Sequence, residues 1–313
     1  MVDNQDGNFA FENNTRLGDR YVIQSRISAG GMGDVYRALD ESNRVSVAIK
    51  TIQPRFLDDP QIQSMFHREG RLLRKCAHQG VVGFIDFFVD QDRGVPVLVM
   101  EHIRGSHLTQ HIEQGPMSKA NTYQLLFKLV EALVSVHDSG AIHRDIKPDN
   151  ILLDENCLNS PKLIDFGLAR SMDEETRVMG DDQFAGNLAY LAPEQIGGFG
   201  GQVDERADIF SLGMLAVSCL RGEVFEAKES ARETLTSRKA GLDLSDIGVD
   251  LQVILERMTA PNPNDRPISM EAVTEQLSDI KFGQSNTCAE TGSAAISFGS
   301  AELNTAPPTN LDD

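Results

Sequence analysis

Two charged side chains in this sequence occupy positions that a folded chain would bury, and together they limit what it can become. Lys50 ends the run Val47-Ala48-Ile49-Lys50, inside a β-rich stretch from Val45 to Ile52. Glu69 sits in the middle of a stripe formed by Ile62, Met65, Phe66, Leu72, Leu73 and Cys76, which recurs at helical spacing from Ile62 to Cys76. Taken singly, a strand lysine is most often a solvated end. A buried carboxylate, however, needs a cationic partner, and a lysine on the preceding strand meets that need. So paired, Glu69 would aim the Lys50 ammonium into a cleft.

The rest of the chain divides around this pair. Between about Leu17 and Ile103, short β-rich runs alternate with turns, among them Val81 to Val89 and Val95 to Ile103. After Gly105 the pattern becomes helical. Its clearest segment, Ser118 to His137, puts Leu125, Leu126, Leu129, Val130, Leu133 and Val134 on one face and is closed by Gly140. Ala207 to Leu220 is apolar nearly all round, which predicts a buried helix. From Gly283 onward Gly, Ser, Thr, Asn and Pro predominate, which predicts a disordered tail over 283–313. With 313 residues the chain can bury two lobes around a cleft, so the expected class is α+β.

Composition narrows the function. The 47 acidic residues against 29 basic ones give a net charge of -18, which repels nucleic acid and anionic membranes, so any phosphate site must be local. Cys76, Cys157, Cys219 and Cys288 form no Cys-x-x-Cys pair, which argues against zinc and a disulfide framework and for reduced thiols in a cytosol. The first twenty residues lack the pattern of a signal peptide, and the longest apolar run, Ile209 to Leu220, is too short to span a bilayer. The expectation is a soluble, cytoplasmic chain without a membrane segment.

Three further segments carry chemistry. Ile27-Ser28-Ala29-Gly30-Gly31-Met32-Gly33-Asp34-Val35 lies between two predicted strands, where small residues let backbone amides approach phosphate oxygens. Alone it reads more readily as a Gly-rich hairpin turn. His143-Arg144-Asp145-Ile146-Lys147-Pro148-Asp149-Asn150 follows the long helix and precedes the strand-like Ile151-Leu152-Leu153, so that Asp145 and Asn150 can converge on one phosphoryl site with Lys147 between them. Asp165-Phe166-Gly167 adds a second carboxylate at a strand end. Asp165 and Asn150 are hard oxygen ligands suited to Mg²⁺, while Asp145 can orient and deprotonate a hydroxyl.

In this order the motifs resemble those of eukaryotic-like (Hanks-type) protein kinases, in particular bacterial serine/threonine kinases with a Gly-Gly-Met phosphate loop. The resemblance extends to Ala192-Pro193-Glu194, to Asp208 ahead of the buried helix, to Arg266 in Asn264-Asp265-Arg266-Pro267, and to Met100-Glu101-His102-Ile103. It implies a two-lobed fold with a β-rich N-lobe (17–103), antiparallel and holding one key helix, and a mainly helical C-lobe (104–282), after a flexible segment 1–16. It implies ATP with Mg²⁺ or Mn²⁺ as cofactors, and protein substrates with Ser or Thr acceptors, autophosphorylation included, in a signalling role. By the same resemblance Lys50, Glu69, Asp145 and Lys147 are catalytic, and Asn150 and Asp165 hold metal. The nucleotide lies against residues 27–33, Val35, Ala48, Lys50, Met100, Glu101 and Ile103. Asp208 ties down the catalytic loop, and Arg266 pairs with Glu194. A pseudokinase that binds nucleotide without transfer would have lost Lys50, Asp145, Asn150 or Asp165, and all are present. An aminoglycoside phosphotransferase would lack the Ala192 to Glu194, Asp208 and Arg266 features.

Two departures stand out. Ser28 replaces the first phosphate-loop glycine, which is tolerable where its φ stays negative. Asn187 stands where the family carries a threonine bridging the catalytic aspartate and lysine; its amide can still bond both Asp145 and Lys147. Between Gly167 and Ala192 the hydroxyl residues are Ser171, Thr176 and Tyr190, none just upstream of Gly186, where the family is commonly phosphorylated. Arg144 would instead meet Asp181 or Asp182, unless these are solvated loop charges. If they supply the anion, phosphatase-treated protein keeps its transfer activity; loss of most activity with a phosphate mapped to Ser171 or Thr176 would refute this.

Overall fold

The computed structural model describes residues 11–30, 33–166, 170–171, 188–226, 228 and 230–280, with 170 and 171 described by backbone alone. The alternating stretch before Ile103 folds into strands β1 (Arg16–Leu17), β2 (Tyr21–Ala29), β3 (Gly33–Asp40), β4 (Val45–Ile52), β5 (Phe84–Asp90) and β6 (Val95–Glu101). They form one antiparallel sheet in the order β1-β2-β3-β4-β6-β5. Helix α1 (Pro60–Lys75) interrupts it and packs on β4 and β5. Pro60 opens α1, and the Asp59 side chain caps it by accepting from the amides of Gln61 and Ile62.

Period-2 patterning divides this sheet between two cores. One face carries Leu17, Tyr21, Ile23, Tyr36, Ala38, Val47, Ile49, Val97 and Val99, a separate apolar cluster covered by Phe11 and Phe88. The other face carries Ile52, Leu98 and Met100, which join Phe66, Leu72 and Leu73 of α1 in the main core. Burying each of these large side chains stabilises the fold by roughly 1.5–3 kcal/mol. The main core then continues into the second lobe.

That lobe comprises β7 (Gly105–His107), α2 (Leu108–Ile112), α3 (Lys119–Asp138), β8 (Ala141–Ile142), β9 (Ile151–Asp154), β10 (Pro161–Leu163), β11 (Arg170–Ser171), α4 (Arg206–Arg221), α5 (Ala231–Ala240), α6 (Val249–Met258) and α7 (Met270–Ser278). Its strands form two small sheets, β10-β9-β7 and β11-β8. Helix α4 is buried from Ala207 to Cys219, as its nearly all-apolar sequence requires, and packs against α3 and α6. Ser118 caps α3 and Ser269 caps α7, each accepting a backbone N–H.

Two buried ionic ties hold the functional loops to this scaffold. Arg266 donates to both carboxylate oxygens of Glu194 at 2.6 and 2.9 Å, and the side chains are 0% and 1% exposed. Its remaining donors reach the carbonyls of Ala260, Pro261 and Arg206, and its guanidinium lies over the Phe210 ring. Asp208, fully buried on α4, accepts from His137 Nε2 at 2.9 Å, while His137 Nδ1 stands 3.4 Å from a Glu205 oxygen. Burial pulls the pKa of His137 down, but Asp208, Glu205 and Glu271 outweigh it and hold it above the ordinary histidine value.

The structure differs from the sequence expectations in two places. Residues 11–16 were expected to precede the fold in a flexible segment; instead the Asn14 amide donates to the Ile23 carbonyl, and Phe11 stacks edge-on against Tyr36. The second apolar face of the sheet needs a cover, and this segment supplies part of it. Cys76 and Cys219 are free and buried, whereas Cys157 is disulfide-bonded, because pairing depends on spatial proximity that sequence spacing does not reveal. Residues 1–10, Gly31, Met32, Gly167, the Ser171 side chain, Thr176, Asp181, Asp182, Gly186, Asn187 and the expected tail 283–313 lie outside the described residues.

Replacing Arg266 with Met leaves Glu194 buried without a counter-ion and should cost about 3–5 kcal/mol in urea unfolding. The double change with Glu194→Leu should recover much of that loss, since both charges then leave the interior. His137 generates a pH signature: a pKa raised on folding adds stability that is present below about pH 6.5 and lost as pH rises through the folded value. The wild-type Tm should therefore fall between about pH 6 and about pH 8.5 with a component that His137→Gln abolishes.

Candidate active site

Strand β4 and helix α1 bring Lys50 and Glu69 together because α1 approaches β5 closely. A Cβ on Gly70 would stand 2.7 Å from the Phe87 ring, so only glycine allows that contact, although glycine inside a helix costs about 1 kcal/mol relative to alanine. Lys50 Nζ then lies 2.7 and 2.8 Å from the two Glu69 oxygens and 2.8 Å from Asp165 Oδ1. Glu69 is buried, while the Asp165 side chain is 46% exposed and faces the cleft. Burial alone would lower the pKa of Lys50, but Asp165 and Glu69 outweigh it and keep the ammonium charged.

The loop between β8 and β9 is built on α4. Asp208 accepts the backbone N–H groups of His143 and Arg144, both at 2.8 Å. Gln195 donates to the Arg144 carbonyl at 2.8 Å, and its own carbonyl accepts from the Ala192 amide. These bonds hold Arg144 at φ +67°, a left-handed backbone that arginine rarely adopts. His143 Nδ1 accepts from the Asp145 amide and Nε2 faces the Ile164 carbonyl, which assigns the proton to Nε2. Burial lowers the pKa of His143, consistent with a neutral ring.

Asp145 Oδ2 accepts from Lys147 Nζ at 3.0 Å and from Asn150 Nδ2 at 2.8 Å. The same Asn150 nitrogen donates to the Asp145 carbonyl at 2.7 Å. Its amide nitrogen thereby fixed, Asn150 presents Oδ1 as a neutral oxygen donor. The Asn150 carbonyl accepts from the Ile164 amide at 2.9 Å, which sets Asp165 beside this loop. Asp165 has φ +61°, a strained conformation stabilised by its bond to Lys50. Asn150 and Asp165 therefore combine a carbonyl oxygen and a carboxylate, the donor types a hard divalent cation prefers. Among the described residues no group of three or more His, Cys, Asp or Glu forms a metal site, so any ion here would complete its shell from phosphate and water.

Register places the other expected cleft residues on one face of the sheet. Val35 pairs with Lys50, and Ala48 pairs with Met100, so Val35, Ala48, Lys50 and Met100 project to the same side as Leu98. Gly33 abuts β4 so closely that a Cβ there would stand 2.4 Å from the Thr51 carbonyl oxygen. Ser28 lies in β2, paired with Val35, and has no positive φ, as its replacement of glycine requires. Ile27 is half exposed, Ala29 ends β2, and Gly30 bonds back to Gly33. Glu101 turns its side chain to the Gly83 amide and Lys162, while Ile103 follows it half-buried.

Sequence reasoning missed several positioning residues. His137, Gln195 and Lys162 carry no spacing signal. Arg238 on α5 donates to the Ala189 carbonyl and lies over the Phe225 ring, so it braces the segment Leu188–Tyr190. Burial pushes its pKa below that of an ordinary arginine. The one available hint was Ser230, a helix-capping residue ahead of α5.

Comparison with known proteins places the chain in a family. Residues 21–278 match the family model "Protein kinase domain". The serine/threonine-protein kinase PknL of Mycobacterium tuberculosis is 31% identical over 280 residues, covering 85% of this chain and 68% of that protein. PknB of Mycobacterium leprae is 30% identical over 282 residues, covering 86% of this chain and 44% of that protein. The crystal structure of the Mycobacterium tuberculosis PknI kinase domain superposes with TM-score 0.64 at 20% identity, covering 87% of this chain and all of that one, a likeness of fold. The chain belongs to the protein kinase domain family, and is a serine/threonine protein kinase of the bacterial Hanks type.

Proposed function

We propose that this kinase transfers the γ-phosphoryl group of ATP to Ser and Thr hydroxyls of proteins, itself included, through the cleft residues described above. Its family uses ATP and a divalent metal; here we assign the ion as Mg²⁺, with Mn²⁺ able to replace it, held by Asn150 Oδ1 and the Asp165 carboxylate. A bound Mg²⁺ neutralises charge on the phosphate oxygens. The observation that carries this assignment is the Lys50 ammonium held by Glu69 and Asp165 together, at 2.7 and 2.8 Å.

Each residue then has a role set by charge and position. Lys50, aimed by Glu69, binds nonreacting phosphate oxygens, and the amides of residues 27–33 cover them. Lys147, bonded to Asp145, offers positive charge to the moving phosphoryl group. Asp145 orients the acceptor hydroxyl and receives its proton; the oxygen forms its bond to phosphorus as the bond to the β-phosphate bridging oxygen breaks, and ADP leaves. Val35, Ala48, Met100, Glu101 and Ile103 border the adenine. We infer a kinase domain over 17–282, with lobes 17–103 and 104–282. A signalling role in the cytoplasm, without nucleic acid, fits the acidic chain; among the described residues no helix is long and apolar enough to cross a membrane.

No observation favours a nucleotide-binding module without activity. With labelled ATP and casein or myelin basic protein, Asp145→Asn should lower transfer by about 10²–10⁴-fold while binding nucleotide as the wild type does. An Asp145→Asn protein that transfers phosphate at the wild-type rate would overturn the assignment.

A further inference from the structure

A buried carboxylate on the phosphate loop itself has no role in the transfer described so far. Asp34 follows Gly33 directly and is only 2% exposed. A carboxylate there would oppose a bound triphosphate unless its charge were offset. Arg26 supplies that offset at 2.7 Å. Two further donors then use Asp34 as a fixed point: Gln53 Nε2 at 3.2 Å from Oδ1, and the Tyr36 hydroxyl at 3.2 Å from Oδ2.

Each of these donors reaches onward. The Gln53 amide nitrogen also donates to the Gly30 carbonyl at 2.9 Å, so it fastens the far side of the loop to the end of β4, the strand that carries Lys50. Gly30 in turn donates to the Gly33 carbonyl at 2.9 Å, closing the base of the loop. In the other direction the Tyr36 hydroxyl, its proton given to Asp34, accepts the Phe11 N–H at 3.1 Å. Phe11 packs edge-on against the Tyr36 ring, with centroids 5.5 Å apart, and lies under the Arg93 guanidinium. The segment is held at its other end by Asn14 N–H to the Ile23 carbonyl at 2.7 Å and Ile23 N–H to the Thr15 carbonyl at 2.9 Å. A continuous run of hydrogen bonds therefore joins Phe11 to Gly30 through Tyr36, Asp34 and Gln53.

We propose that the segment around Phe11 is a positioning element for nucleotide binding, acting through Tyr36, Asp34 and Gln53 to hold the phosphate loop at Gly30. A Gly-rich loop loses much conformational freedom when it closes on phosphate, and a loop already fastened at its base loses less. The effect falls on nucleotide affinity and not on the transfer step, since none of these side chains faces Asp145 or Lys147. This assignment rests on the nucleotide site proposed above.

The test uses the full chain with Tyr36→Phe, Gln53→Leu and Phe11→Ala, singly and in pairs, each verified as folded at the assay temperature. The measurements are Mg-ADP binding, KM for ATP, KM for casein, and kcat. One hydrogen bond in the run corresponds to about a fivefold weakening of nucleotide binding and a matching rise in KM for ATP. KM for casein and kcat should stay within about twofold of wild type. Phe11→Ala should add nothing in the Tyr36→Phe background, because the run is already cut there, and Phe11→Tyr should keep wild-type affinity. Unchanged nucleotide binding in both Tyr36→Phe and Gln53→Leu overturns the proposal, as do additive effects of Phe11→Ala and Tyr36→Phe or a loss confined to kcat. Wild-type protein that fails to bind Mg-ADP overturns the nucleotide site itself, which separates the two failures.

Discussion

The ammonium of Lys50 is the point on which the two lobes meet. It stands between a carboxylate from helix α1 and one from the loop after β10, residues 115 positions apart from Lys50 in the second case. Glu69 depends on it most: it is buried, and burial raises its pKa against the pull of Lys50. The sheet, the helix and the strand end must all be in place before the three charges can balance. Even then one negative charge is left over, which suits a site that receives a divalent cation together with phosphate.

Helix α4 plays the corresponding part for the catalytic loop. Non-glycine residues in left-handed backbone cost about 1–2 kcal/mol each, and Arg144 adopts it at φ +67°. Against this stand two charge-assisted bonds from Asp208 to the loop backbone, at 2.8 Å each, worth about 1.5–3 kcal/mol apiece. The anchoring therefore exceeds the strain. A loop held in this way keeps Asp145 and Asn150 at a fixed separation while the acceptor changes, and such preorganisation is where much of the catalysis in phosphoryl transfer originates.

Much of this was legible in the sequence because the decisive residues violate local expectation. Glu69 on an apolar stripe and Lys50 on an apolar strand announce each other, and α1 and β4 appear within a residue or two of where periodicity puts them. The buried helix at Ala207 to Leu220 is found as Arg206–Arg221, and the helix ending at His137 as Lys119–Asp138. What escaped are residues whose partners lie far away and whose types are ordinary. Gln195, Lys162 and Gln53 are polar residues with no periodic neighbour to mark them, and each acts on a backbone or carboxylate atom that only the fold brings near. Phe11 escaped for a different reason. The second face of the sheet is apolar, but nothing in the strand pattern says which segment covers it.

The acidity of the whole chain and the anionic cargo of the site are reconciled locally. At physiological ionic strength the Debye length is about 8 Å, so carboxylates on remote surfaces contribute little in the cleft, whereas those within it act at short range and high strength. The described carboxylates Asp34, Glu101 and Asp145 are each matched by a cation of their own. Arg26 faces Asp34, Lys162 faces Glu101 at 2.6 Å, and Lys147 faces Asp145. Such matching does more than cancel charge. Asp34, once neutralised, becomes an acceptor on which Gln53 and Tyr36 converge, so the residue that would have repelled phosphate serves as the fixed point of the loop that covers it.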